Sequence, residues 1–233
     1  MTQEKIWNYF QSEGIESFSG SIPRLNFLVH QAQRVLNRSF IGVPKVLNIG
    51  VGNGWIEKQC VKLGWNTYSL DPSEAVIKKL EHDGLTGKVG YIEAIPFDDS
   101  SFDVVFCSEV LEHLSDEKLY LGLEEIKRVL VKSGYLIGTV PFKENLLDNK
   151  VICPNCGYIF HRWGHSQFFD KTKMSSILKT VNFEIITLGT YAFPDFSRTS
   201  PKGRIKSVLR WILGRLGEPI SQPNLVFICK LKE

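Results

Sequence analysis

Apolar residues recur along this chain in two rhythms. Between Arg24 and Asn37, Leu25, Leu28, Val29, Ala32, Val35 and Leu36 keep helical spacing, which predicts a helix with one buried face. A shorter helix is expected near Gln3–Ser12, and Gly42-Val43-Pro44 then interrupts the chain. From there, short apolar runs alternate with helical stretches. KVLNIG (45–50) reads as a buried strand ending in a glycine turn, followed by a helix from Trp55 to Leu63. NTYSL (66–70) is a strand, and Ser73 caps a helix running to His82. KVGYIE (88–93) and DVVFCS (103–108) are further strands, the first weaker. Ser115 caps a helix reaching Val131, with Asp116 and Glu117 at the positive end of its dipole, and YLIGTV forms a fifth strand. A helix over Lys171–Thr180 and the strands FEIITLGT and NLVFICKL complete the pattern. Strands alternating with helices imply a parallel sheet covered on both faces, an α/β fold.

In such sheets ligands bind beyond the carboxyl ends of the strands. The first strand runs into NIGVGNGW, where Gly50 and Gly52 let the main chain turn sharply and approach a ligand. A dinucleotide fingerprint, G-x-G-x-x-G, would need glycine where Trp55 stands; the third glycine, Gly54, comes one residue early. A pyrophosphate is thereby disfavoured. Asp71, at the end of the second strand, suits a pair of ribose hydroxyls, so a nucleoside without a pyrophosphate is the expected ligand.

VLNIGVGNGW, LDPS and IPFDDSSFDVVFCSEVLEHL, in that order between Lys45 and Pro141, resemble the motifs of class I S-adenosylmethionine (SAM)-dependent methyltransferases. The resemblance implies a Rossmann-like sheet of seven mostly parallel strands. It implies that Gly50, Gly52 and Gly54 line the methionine and ribose of SAM and that Asp71 with Pro72 holds the ribose. Ile92 and Glu93 would border the adenine, and Ser108 and Asn48 would complete the cofactor site. Two positions depart from the family. Asn48 stands where an acidic residue is usual, which keeps an acceptor and loses a charge, and Tyr91 replaces another acid, with Glu93 nearby but out of register. A non-catalytic binding module on a degenerate methyltransferase fold is the rival these departures raise.

Methyl transfer from a sulfonium asks the protein for alignment and often for a base. Glu109, Glu112 and His113 in SEVLEHL stand at i, i+3 and i+4, one face of a helical turn, with His113, or else His165, the candidate base and the glutamates its supports. E-x-x-E-H with a later histidine, here His165, also resembles the metal site of small-RNA 2′-O-methyltransferases and of some quinone-biosynthesis O-methyltransferases.

CPNCGYIFHRWGH (153–165) is the other concentration of chemistry. C-x2-C-x4-H-x3-H suits a structural zinc held by Cys153, Cys156, His161 and His165, in a connection of about thirty residues where ~2–6 are usual. The expected layout is an N-terminal helical cap (1–44) and a methyltransferase domain (45–233) with a zinc-knuckle-like insertion after strand 5 (141–169). Cys60, Cys107 and Cys229 sit in apolar runs and read as small core hydrophobes.

The net charge is +3, yet six basic residues and no acidic one fall between Phe196 and Gly217. The rest of the chain is mildly acidic, which weighs against a broad nucleic-acid footprint. RIKSVLRWILGRL (204–216) reads as a basic amphipathic helix, packed on its own domain or resting on an anionic membrane. No apolar run reaches the ~18 residues that span a bilayer, and MTQEKIWNYF has no leader pattern, so a cytoplasmic protein with an optional peripheral membrane contact is expected. The CPxCG and FHxWGH stretches loosely resemble enzymes of surface polysaccharide or glycolipid assembly. The acceptor expected is therefore a small-molecule, glycan or lipid-linked hydroxyl.

Overall fold

The computed structural model of the chain describes residues 20–37, 41–194, 196 and 200–232. The helix expected near Gln3–Ser12 lies outside them. In chain order the elements are α1 (Ile22–Leu36), β1 (Lys45–Ile49), α2 (Trp55–Lys62), β2 (Asn66–Asp71), α3 (Glu74–His82), β3 (Thr86–Val89) and β4 (Phe102–Ser108). There follow α4 (Asp116–Val129), β5 (Leu130–Pro141), β6 (Lys150–Ile152), β7 (Ile159–His161), α5 (Lys171–Thr180), β8 (Phe183–Tyr191), α6 (Pro201–Leu216) and β9 (Asn224–Leu231).

Seven strands form one sheet in the order β3-β2-β1-β4-β5-β9-β8. β1 pairs in parallel with β2 and β4, and β4 with β5, whereas β9 runs antiparallel between β5 and β8. The central strands are buried on both faces, and successive residues serve opposite cores. Leu47, Val105 and Cys107 pack with Leu123 and Ile126 of α4 and Leu178 of α5. Val46, Val104 and Phe106 pack on the other side with Leu28 and Ala32 of α1 and Ile56 of α2. The N-terminal segment is thus more than a cap, because α1 supplies part of the core.

Cys60, Cys107 and Cys229 are buried, and burial pushes all three thiols up in pKa, as expected of core hydrophobes. The basic segment is a helix from Pro201, capped by the Ser200 hydroxyl and stopped by left-handed Gly217. The insertion holds a two-stranded hairpin, β6 against β7. Among the described residues no helix is long and apolar enough to cross a membrane.

Candidate active site

The loop after β1 is built around backbone that favours glycine. Gly50, Gly52 and Gly54 have φ of 80°, 56° and 72°, and a Cβ on Gly50 would lie 2.7 Å from Cγ2 of Val110. Asp71 ties this loop to the next turn. Its Oδ2 accepts from the Val51 N–H at 3.0 Å and its Oδ1 from the Ser73 N–H at 2.9 Å. On the other side of the loop the Trp55 indole donates to Asn26 of α1 at 2.7 Å.

Asn48 has a partner that its place in the sequence does not reveal. Its Nδ2 donates to Oε1 of Glu57 at 2.8 Å, and the Ser69 hydroxyl donates to the same oxygen at 2.8 Å. Glu57 is fully buried, and burial outweighs these hydrogen bonds and raises its pKa. Asn48 Oδ1 and Glu57 Oε2 are both buried acceptors without a partner. A carboxyl thus lies beside position 48, carried by α2. Asn48→Asp should accordingly lower stability by ~1–3 kcal/mol, because two buried carboxyls would then face one another. The urea midpoint measures it; an unchanged or raised midpoint contradicts this pairing.

The segment after β4 departs from a regular helix. Glu109 holds a left-handed φ of 58°, and only Leu111–His113 form a single 3-10 turn. Glu109 turns toward its neighbours: Oε1 accepts from Thr139 Oγ1 at 2.9 Å and Asn224 Nδ2 at 3.0 Å, and Oε2 pairs with Arg24 at 3.4 Å. Glu112 is fully buried, with both carboxylate oxygens unpartnered. Burial, reinforced by the charge of Glu109, holds its pKa well above the usual carboxylate range.

The insertion closes over this turn. Backbone N–H groups of Ser166 and Gln167 donate to the Glu112 carbonyl at 2.8 and 3.0 Å, and the Ser166 hydroxyl donates to the Leu114 carbonyl at 2.9 Å. This clamp brings His165 against His113, ring centroids 4.8 Å apart, and His161 against His165 at 4.7 Å. The hydrogen bonds assign the tautomers. His113 Nδ1 lies 3.4 Å from the Gly164 carbonyl and His165 Nδ1 lies 2.5 Å from Oε2 of Glu144. Both partners only accept, so each ring directs an Nδ1–H at its partner, which in a neutral ring leaves the lone pair on Nε2. His161 is the reverse: its Nδ1 accepts from the N–H of Trp163 at 3.3 Å and of His165 at 3.1 Å. Its proton therefore sits on Nε2, 3.5 Å from Oε1 of Glu144.

Burial, then the charge of His165, depresses His113 to about 3. Burial raises Glu144, but the hydrogen bond from His165 and the electrostatic attraction of the two imidazoles, His165 and His161, outweigh it, and the net shift is downward. Among the described residues, Glu112, His113 and His165 bring one donor atom each within 4.8 Å of one another, as do Glu144, His161 and His165.

Residues 47–138 match the family described as a methyltransferase domain. An uncharacterized protein of Methanocaldococcus jannaschii is 34% identical over 165 residues, 68% of this chain and 70% of that one. The ubiquinone biosynthesis O-methyltransferase of Rickettsia bellii is 24% identical, with 70% of each chain covered. A SAM-dependent methyltransferase of Methanosarcina mazei shares the fold, with a TM-score of 0.61 at 17% identity, covering 85% of this chain and 98% of that one. The chain belongs to the SAM-dependent methyltransferases.

Several expected site residues of this methyltransferase stand together: Asn48, Gly50, Gly52, Gly54, Asp71 and Pro72 lie at the β1 and β2 ends. Ser108 ends β4, its hydroxyl 2.7 Å from Thr139 Oγ1. Ile92 packs over Gly122 of α4, and Glu93 pairs with Lys118.

Three expectations need correction. The four-ligand zinc site on Cys153, Cys156, His161 and His165 is not assembled. Cys153 and Cys156 occupy the tip of the hairpin, beyond the Ile152–Ile159 pair, where the Cys153 sulfur accepts from the Asn155 and Cys156 N–H groups and bonds to the Cys156 thiol. His161 pairs with Lys150 at the hairpin base, two residues further along a strand rising about 3.3 Å per residue. Glu109 does not share a face with Glu112 and His113, because the backbone at Glu109 is left-handed. The environment of His113 also disfavours it as the general base: at about 3, its imidazole holds a proton too weakly near neutrality.

Glu57, Glu144 and the Gly164 carbonyl were not foreseen. Glu144 follows the end of β5 by three residues in an unremarkable KEN triplet, and no spacing in the chain links it to His165.

Proposed function

We propose that this methyltransferase transfers the methyl group of SAM to a hydroxyl, on a small molecule or on a glycan or lipid-linked acceptor, and that the acceptor meets Glu112, His113 and His165. Gly50, Gly52, Gly54 and Asp71 hold the methionine and ribose of SAM, and the Tyr91–Glu93 stretch borders the adenine. One observation carries the acceptor side. The Glu112 carboxyl group is fully buried with neither oxygen partnered, beside two imidazoles that each turn Nδ1 to an acceptor. One carboxylate and two imidazoles, each directed by an acceptor at Nδ1, are the donor set of a divalent cation with its supporting layer. Glu112, His113 and His165 would hold such an ion, and Glu144 and the Gly164 carbonyl would orient the two rings. When bound, a divalent cation polarises the acceptor hydroxyl so that it loses its proton near neutral pH.

The chain's own part is alignment. Val110 packs against Gly50, and the turn that follows carries Glu112 and His113, so the cofactor loop and the acceptor group share one rigid support. Displacement at the methyl carbon then releases S-adenosylhomocysteine and gives the methyl ether, the hydroxyl proton passing to solvent. The hydroxyl acceptor is in keeping with the Rickettsia relative, named as an O-methyltransferase.

The test uses chelator-washed protein with methyl-labelled SAM and fractionated extract, with and without added Mg²⁺ or Mn²⁺. Transfer should need the ion, and the label should resist alkali as an ether does. Label released by alkali as methanol would indicate an ester instead, and chelator-insensitive transfer would remove the cation. A non-catalytic module would give neither transfer nor heat on titration with SAM.

A further inference from the structure

Helix α6 meets the rest of the protein through its small residues. Ser207 and Gly214 are its buried positions, and a Cβ on Gly214 would lie 2.4 Å from the backbone nitrogen of Ala192. At about 3.6 residues per turn, Gly203, Ser207 and Gly214 share one side. Ile205, Leu209, Ile212 and Leu216 fall on the opposite side, roughly 180° away, and are exposed by 62%, 53%, 44% and 71%. A helix that serves only its own fold has the reverse arrangement, apolar side inward. Basic residues flank the exposed stripe, Arg204 and Arg215 along one margin and Lys202 and Lys206 along the other. No acidic residue occurs in the helix.

We propose that α6 is a docking helix for the surface of an anionic lipid bilayer. The apolar stripe enters the headgroup boundary and the flanking cations meet acidic headgroups. Charge selects this occupant, since a second copy of the chain would bring the same cations against these. The helix also sits where docking matters. Gly217, at its end, lies against Phe142 and Thr190, and Thr190 Oγ1 donates to the Arg215 carbonyl at 3.3 Å. Pro141, Asn224 and Tyr191 stand in register across the sheet at that rim, and Asn224 holds Glu109. Contact through α6 therefore sets the acceptor side of the sheet beside the bilayer. A lipid-linked acceptor follows only if the hydroxyl reading above also holds; docking does not depend on it.

Sedimentation with vesicles tests the proposal without any acceptor. The whole protein should sediment with vesicles of phosphatidylcholine plus phosphatidylglycerol, remain in solution with phosphatidylcholine alone, and be released by salt. The double variant Leu209→Ser, Ile212→Ser should lose binding, while Lys202→Gln and Lys206→Gln should each weaken it about fivefold. Circular dichroism and the heat of SAM binding check that the variants remain folded, since these side chains face solvent. No sedimentation with the anionic vesicles, or equal binding by the double variant, would overturn the proposal. So would a doubled mass in sedimentation velocity that the double variant abolishes, because the stripe would then be a dimer contact.

Discussion

Replacing Glu112 with glutamine should cut methyl transfer by ~10²-fold or more while making the chelator-washed protein more stable at neutral pH. The loss in rate follows from the position of the carboxylate among His113 and His165. Removing a residue that merely orients a ligand costs 10–100-fold, and Glu112 is proposed as a ligand itself. The gain in stability follows from linkage. The folded-state pKa of Glu112 lies above its unfolded value, so above about pH 4.5 the unfolded chain sheds a proton that the folded chain retains. Stability falls as pH rises from there toward the folded pKa. A neutral amide removes that dependence, so urea unfolding of the variant should vary less across this range. A rise in stability accompanied by a loss of activity marks a residue kept for chemistry. A destabilised variant with unchanged activity contradicts the assignment.

Acid should unfold the same chelator-washed protein, with His113 a principal cause. Its folded pKa of about 3 lies below the ordinary 6.5, so between these values the unfolded chain binds a proton that the folded chain refuses. The stability is therefore complete above pH 6.5 and is lost as the pH falls toward 3. At about 1.4 kcal/mol per unit, an upper bound on this contribution is ~5 kcal/mol. His113→Asn keeps a donor for the Gly164 carbonyl and has no group to titrate. Urea unfolding across this range should show a shallower acid decline in that variant. An unchanged slope would mean that His113 takes up its proton without resistance from the fold.

These two groups illustrate what could be read from the chain beforehand. The alternation of apolar runs and helical stretches, read with its family resemblance, was enough for a doubly covered, mostly parallel sheet, because buried parallel strands leave little other sequence pattern. KVLNIG and NLVFICKL are found where expected, and Gly50, Gly52 and Gly54 all adopt the left-handed backbone that the turn requires. Spacing failed where long-range geometry decides. C-x2-C-x4-H-x3-H suggests one site, but a hairpin extends between its halves and carries the cysteines away from the histidines. His165 instead finds Glu144, twenty-one residues earlier, and Glu57 brings a carboxyl against Asn48. Contacts of this kind leave no periodic trace. The insertion, expected to fold around a zinc, instead brings Glu144 and His165 to the cluster at Glu112 and His113.

Orientation was likewise out of reach for α6. Its composition allowed packing inward or outward, and Gly214 against Ala192 decides for outward.

The most direct test of the acceptor site is an anomalous difference map from crystals grown with Mn²⁺ and S-adenosylhomocysteine. The account requires a single peak among Glu112, His113 and His165, with the adenosyl group over the Gly50–Gly54 loop and its ribose at Asp71. An empty cluster, or manganese bound at Cys153 and Cys156 instead, would contradict it.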